Sequence, residues 1–164
     1  DMVRYLFGAN AELRRDHAFL DYISLSLEHI NTEFYRVSAN KWHRDDPIFW
    51  CILAFNPIVL THDGVVFATT NNIYSSVMRD AGEVGLRSLF AERVVRWTTV
   101  PAATRSKGMR NCYSTCFQAE ALYPQSLSTE SLQRIYVRTA KDQSEVIGFL
   151  KATFHPEIDI IIAP

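Results

Sequence analysis

The residues best suited to chemistry lie in the stretch STCFQAEALYP, residues 114–124, where polar and apolar side chains alternate. Successive strand side chains point to opposite faces, so this alternation reads as a strand with Cys116, Gln118 and Glu120 on one face and Phe117, Ala119 and Ala121 on the other. The plain interpretation is an antiparallel strand with a wet side. The sharper one is a Gln-x-Glu pair lining a cleft. One fixed carboxylate, a nearby amide, the hydroxyls of Ser24 and Ser26 on a separate strand and arginines on the preceding helix suit a reaction that develops positive charge on a sugar and must hold a pyrophosphate. Carboxylates stabilise an oxocarbenium-like centre, and arginines meet a diphosphate through paired hydrogen bonds. Loss of nicotinamide from NAD is a reaction of this type.

Other chemical templates fail. No Gly-x-Ser-x-Gly elbow is present, the six glycines form neither a dinucleotide fingerprint nor a Walker loop, and His43, His62 and His155 are far apart with no His-x-x-x-His pairing. Cys51, Cys112 and Cys116 are odd in number and lack a second Cys/His pair, so they read as reduced thiols and no metal is expected.

The elements that must carry the candidate residues can be sketched from periodicity. NAELRRDHAFL reads as a helix of about two turns behind Asn10 as cap. DYISLSLEHI alternates, with Ile23, Leu25 and Leu27 on one side and Ser24 and Ser26 on the other. IFWCILAFN is a continuous apolar run and reads as a strand buried on both faces; GVVFATTNN is a third strand. From Ile73 to Thr98 the pattern turns helical, with Gly82 and Gly85 as breaks. PAATRSKGMRN reads as a basic mobile loop. LQRIYVRT is a strand, DQSEVIGFLKATF a helix opened by Asp142 and Glu145 in capping-box spacing, and IDIIIAP a β-branched strand or extended tail. Short strands interleaved with helices out of simple βαβ order imply an α+β domain on a mixed or antiparallel sheet with flanking helices.

With 164 residues, 48% of them hydrophobic, the chain is expected to form one domain over 1–164. It has no apolar run of bilayer length and no signal-peptide pattern at its start, which reads as a cytoplasmic protein without a membrane partner. The net charge of -1 is unevenly spread. Between Arg79 and Arg110 seven basic residues face three acidic ones, a local +4 that leaves -5 elsewhere. Such a segment marks either a polyanion site or a solvated face with local pairing. Trp97, beside Arg96, offers a ring on which a base could stack.

ELRRDHAFLDYISLS, WCILAFNPIVL, GVVFATTNNIY and above all CFQAEALYPQSLSTESLQRIYV resemble the DarT family of bacterial toxins, which transfer ADP-ribose from NAD to bases of single-stranded DNA. The similarity runs from about Glu12 to Val137, and its most specific part is the Gln-Ala-Glu-x-Leu followed by Pro. The resemblance implies an ADP-ribosyltransferase-like fold, NAD as co-substrate, single-stranded DNA as acceptor and a macrodomain-type antitoxin as partner. It implies that Glu120 is catalytic, that an essential arginine is Arg14 or Arg15, and that Ser24, Ser26 and Asn71 contact NAD. Gln118 would orient the acceptor, and Thr70 and Asn72 would join Asn71 at the cleft. Arg96, Arg105, Lys107 and Arg110 are the candidates for the nucleic acid. The family's N-terminal strand, whose His holds the adenosine side of NAD, has no counterpart ahead of Asp1. An RNA or protein acceptor, or a non-catalytic binding module of the same fold, are the alternatives.

Overall fold

The computed structural model describes residues 15–46, 48–97 and 99–163. The chain packs as two compact units, each with its own sheet.

The first unit combines the chain up to Glu33 with Leu60–Ser126. Its sheet holds four antiparallel strands: β1 (Tyr22–Ser26), β3 (Val66–Ala68), β4 (Arg79–Ala81) and β7 (Glu120–Pro124), in the order β1-β7-β3-β4. Register puts Leu25, Ala121 and Phe67 in one row across the sheet. Phe67 and Ala121 are buried with Val65, Leu89 and Ala119, and Leu25, Leu27 and Leu86 pack against them. The adjacent row, pointing to the other face, runs Ser26, Glu120, Ala68, Arg79. Helix α2 (Gly82–Ser88) packs on β3 and β4, and a small pair, β5 (Arg93–Val94) with β6 (Ala103–Thr104), completes the unit.

The second unit contains Phe34–Val59 and the chain from Leu127 onward. Here β2 (Cys51–Phe55) pairs antiparallel with β8 (Leu132–Val137), which pairs in parallel with β9 (Asp159–Ile162) through the crossover helix α3 (Ala140–Ala152). Ile135, Val137 and Val146 form its core, with Phe49, Leu150 and Ile160 packed against them. A short helix, α1 (Thr32–Val37), lies where the chain passes from one unit to the other.

Several expectations are corrected. The helix expected behind Asn10 falls mostly outside the described residues, and within it His17–Phe19 form one 3-10 turn. The apolar run of β2 is a strand but not a doubly buried one: it is the edge of its sheet, and Ile52 and Leu53 remain 40% and 48% exposed. The helical reading of Ile73 to Thr98 holds only for α2, because β4 and β5 occupy its flanks. The loop read over PAATRSKGMRN contains β6. The capping box of α3 is built by Thr139 and Asp142, three residues ahead of the expected pair; Thr139 accepts from the Asp142 amide and Asp142 accepts from the Thr139 amide.

Gly85 is not a helix break but a close-packing position. A Cβ there would meet the Asp80 carbonyl and the Phe67 ring, so Gly85→Ala should destabilise the chain by about 1–3 kcal/mol, read as a lower urea midpoint at unchanged slope.

Candidate active site

The strand read over residues 114–124 begins only at Glu120. Upstream, the backbone bonds elsewhere: the Thr115 amide donates to the Leu89 carbonyl at 2.8 Å, the Thr115 hydroxyl to the Ala91 carbonyl at 2.6 Å, and the Ala119 amide to the Cys116 carbonyl at 2.9 Å. Residues 116–119 therefore turn. Cys116, expected on the polar face, is buried, whereas Phe117, expected in the core, is 39% exposed. Gln118 and Glu120 do not share a strand face. The Gln118 amide instead donates to the Tyr74 hydroxyl at 3.4 Å, and the Tyr74 ring meets Trp97 edge-on at 4.8 Å.

Glu120 opens the second strand of the sheet, with Ser26 opposite it on β1 and Ala68 opposite it on β3. Its carboxylate accepts the Asn72 backbone N–H at 3.2 Å and the Ser24 hydroxyl. Burial pushes the carboxyl up to about 7. The Asn72 and Ser24 bonds oppose that rise, the Asp16 carboxylate adds to it, and the Arg79 guanidinium again opposes it. Burial outweighs the donors, which leaves the group poised near neutrality.

The loop after β3 brings Asn72 to the carboxylate. Thr69 and Met78 close its ends, the Thr69 amide donating to the Met78 carbonyl at 3.0 Å and the Met78 amide to the Thr69 hydroxyl at 3.2 Å. Inside it the Asn71 side-chain oxygen accepts from the Ile73 amide at 3.1 Å, an Asx turn. Asn71, expected at NAD, thus serves the turn with its oxygen, and its neighbour Asn72 reaches Glu120. Thr70 is buried and accepts from the Cys116 thiol at 3.4 Å.

Arg79 organises the same region. Its Nε donates to the Asn72 side-chain oxygen, and its Nη2 to the carbonyls of Asn72 and, at 3.2 Å, Arg15. Its guanidinium lies 5.2 Å from the Phe19 ring centre. Burial lowers its proton affinity, and the carboxylates of Asp16 and Glu120 restore part of it. Arg15 is exposed, and its amide donates to the Ile73 carbonyl at 3.2 Å; Arg14 lies outside the described residues. In the sequence Arg79 stands out only as the start of a basic segment, and no motif marks Asp16. An acid directly after the Arg-Arg pair is the one signal the sequence offers for it.

A model of the family described as DarT, ssDNA thymidine ADP-ribosyltransferase, matches residues 10–164. The chain belongs to the DarT family. Among solved structures it resembles DarT of Thermus sp. 2.9 in complex with carba-NAD+, with a TM-score of 0.63, 15% identity, and coverage of 88% of this chain and 72% of that one. It also resembles the same protein with ADP-ribosylated ssDNA, at TM-score 0.62 and 13% identity over 98% of this chain and 77% of that one. Thermosipho africanus DarTG with ADP-ribose gives a TM-score of 0.56 and 16% identity, covering 88% of this chain and 35% of that one. The chain thus spans about a third of the Thermosipho protein and about three quarters of the Thermus one. A search of curated proteins found no match. These likenesses show the DarT fold, an α+β architecture, and the family's description is that of an ssDNA thymidine ADP-ribosyltransferase.

Of the candidates for nucleic acid in this DarT-family chain, two brace loops. Arg96 donates to the Pro101 carbonyl from Nε at 3.0 Å and from Nη2 at 2.7 Å. Arg105 donates to the carbonyls of Tyr113 and Arg110 at 2.8 and 2.9 Å, with its guanidinium 5.7 Å from the Phe90 ring centre. Arg110 and Lys107 are exposed, Arg110 donating to the Tyr113 hydroxyl at 3.1 Å. Arg87, counted in the same basic segment, pairs with Glu83. Among the described residues no group of His, Cys, Asp and Glu could hold a metal ion, and no helix is long and apolar enough to cross a membrane. A surface hollow of about 440 Å³ in the second unit, lined by Trp50, Arg138 and Asp142 among others, contains none of the candidate residues.

Proposed function

We propose that this chain transfers ADP-ribose from NAD to thymidine in single-stranded DNA, releasing nicotinamide. The observation that carries the reading is the Glu120 carboxylate, held by Ser24 and Asn72 and poised near neutrality, in a chain of the DarT family. Glu120 in its ionised form would hold the ribose hydroxyls next to the reacting carbon and stabilise the cation that forms as the C1′–N bond breaks and neutral nicotinamide leaves with the electron pair. A nitrogen or oxygen of thymine then bonds to C1′, and the proton it loses passes to a base. With its carboxyl at about 7, Glu120 is suited to receive that proton.

The roles of the remaining candidates follow. Ser24 orients the carboxylate, Ser26 lies opposite it in register, and Gln118 with Tyr74 borders the acceptor's approach. Arg14 or Arg15 faces the phosphates or the acceptor. Exposed Lys107 and Arg110, rather than the loop braces Arg96 and Arg105, meet the DNA backbone. A single strand is the natural substrate, because a base must leave its stack before its ring atoms can reach C1′. In the cell we place the chain in the cytoplasm as a toxin whose antitoxin, a macrodomain-type partner, removes the modification; DarTG from Thermosipho africanus supports that pairing.

Nicotinamide release tests the reading. Release from NAD should rise when a thymidine-containing single strand is added and rise far less with the same sequence as a duplex. Equal release with and without DNA would reduce the activity to NAD hydrolysis, and DNA-independent labelling of protein would move the acceptor.

A further inference from the structure

We infer that Arg79 is a positioning residue for Glu120, acting through Asn72 and across the row Ser26, Glu120, Ala68, Arg79. The inference rests on the reading of Glu120 given above. Register places Arg79 in the same row and on the same face as Glu120, with one residue, Ala68, between them. Neighbouring strands lie about 4.8 Å apart, so two steps separate the Cα atoms by roughly 10 Å, a span that an arginine crosses only over a small side chain. Ala68 is fully buried and leaves that path open.

At the far end the guanidinium fork takes both acceptors of Asn72, the side-chain oxygen and the backbone carbonyl. Asn72 is the residue whose backbone N–H meets Glu120. The loop would close without this hold, because Thr69 and Met78 already exchange two hydrogen bonds across its base and Asn71 turns its middle. What Arg79 adds is the orientation of one peptide. The same Nη2 also binds the Arg15 carbonyl, so the segment bearing Arg15 and Asp16 is tied to that peptide. Among the described residues four groups act on the Glu120 carboxylate: the Ser24 hydroxyl from β1, the Asn72 N–H from the loop, the Asp16 carboxylate from the segment before His17, and the Arg79 guanidinium from β4. Arg79 is the cation among them, and it is shared with Asp16.

Charge and fork can be separated by substitution. Arg79→Lys keeps a cation but cannot hold two acceptors of one residue at once. It should lower kcat by about 10- to 100-fold with the KM for NAD within about threefold, the pattern of a group that matters in the transition state, and leave the acid limb of the pH profile in place. Arg79→Met loses both and should in addition move that limb to higher pH, since the Arg79 charge no longer offsets burial and Asp16 at Glu120. Asn72→Ala, which keeps the N–H but removes the side-chain acceptor, should combine with Arg79→Lys less than additively. Variants of unchanged kcat and pH profile that merely melt at lower temperature would overturn the inference and leave Arg79 a structural brace. An inactive wild type would instead contradict the proposed activity. The Glu120 carboxyl, titrated by carbon NMR, then decides the positioning role by itself: it should titrate higher in Arg79→Met than in wild type or Arg79→Lys, and an unchanged titration would overturn it.

Discussion

Glu120→Gln should lower ADP-ribose transfer by at least about 1,000-fold, or about 4 kcal/mol in the barrier, with the fold unchanged. The substitution keeps the shape of the side chain and one oxygen to accept the Asn72 N–H and the Ser24 hydroxyl, so the sheet and the loop keep their bonds. What is lost is the negative charge beside the reacting carbon. In a half-buried site that charge is less screened than in water, and it stabilises the oxocarbenium-like centre far more than it stabilises neutral ribose, so the loss falls on kcat. NAD should still bind the variant and raise its unfolding free energy, by about 2.7 kcal/mol at 100 times the dissociation constant. Near wild-type transfer by Glu120→Gln would remove Glu120 from the reaction.

The same carboxyl should make the protein less stable as pH rises, and Glu120→Gln should abolish that dependence. Folding raises the group from an ordinary 4.5 to about 7, so between those values the folded state binds a proton that the unfolded state has released. Stability then falls as pH increases: the contribution is fully present below about 4.5 and is lost as pH rises through about 7. At 1.36 kcal/mol per unit, the part between pH 5 and pH 8 amounts to about 2–3 kcal/mol. Urea unfolding of wild type and variant at both values isolates it, because every other titrating group is common to the two proteins. The variant should gain that amount on wild type at pH 8; parallel stabilities would show that the Glu120 carboxyl titrates in its ordinary range. Activity runs the opposite way. The ionised carboxylate is the competent form, so kcat/KM should rise with pH through about 7, and the positive nicotinamide ring of bound NAD should draw the limb for kcat lower.

Much of the fold is legible in local pattern. β8 and the β-branched β9 pair as strands, β3 follows its Gly64 turn, and the hydroxyl side of β1 does face away from Leu25 and the core. Local pattern fails where long-range bonds compete. Residues 114–119 alternate like a strand, but Thr115 is held by Leu89 and Ala91, and the chain turns before Glu120. Residues 73–98 carry helical spacing, but β3 recruits Arg79–Ala81 as an edge strand. The site divides in the same way. Glu120 and Ser24 stand out through short motifs, whereas Arg79 and Asp16 reach Glu120 only because of sheet register and a closed loop, neither of which any stretch of sequence specifies alone. The charge of the basic segment misleads for a related reason. A count of cations cannot tell Arg96 and Arg105, committed to loop carbonyls, from Lys107 at the surface.

If this chain works as proposed, ADP-ribose is linked to thymidine in a single strand through Glu120. Mass spectrometry of two oligonucleotides, identical except that one has every thymidine replaced by deoxycytidine, after incubation with NAD and either wild type or Glu120→Gln, tests it most directly. One added ADP-ribose is expected, on the thymidine-containing strand and with wild type alone. An adduct on the strand without thymidine, or one formed equally by the variant, would contradict it.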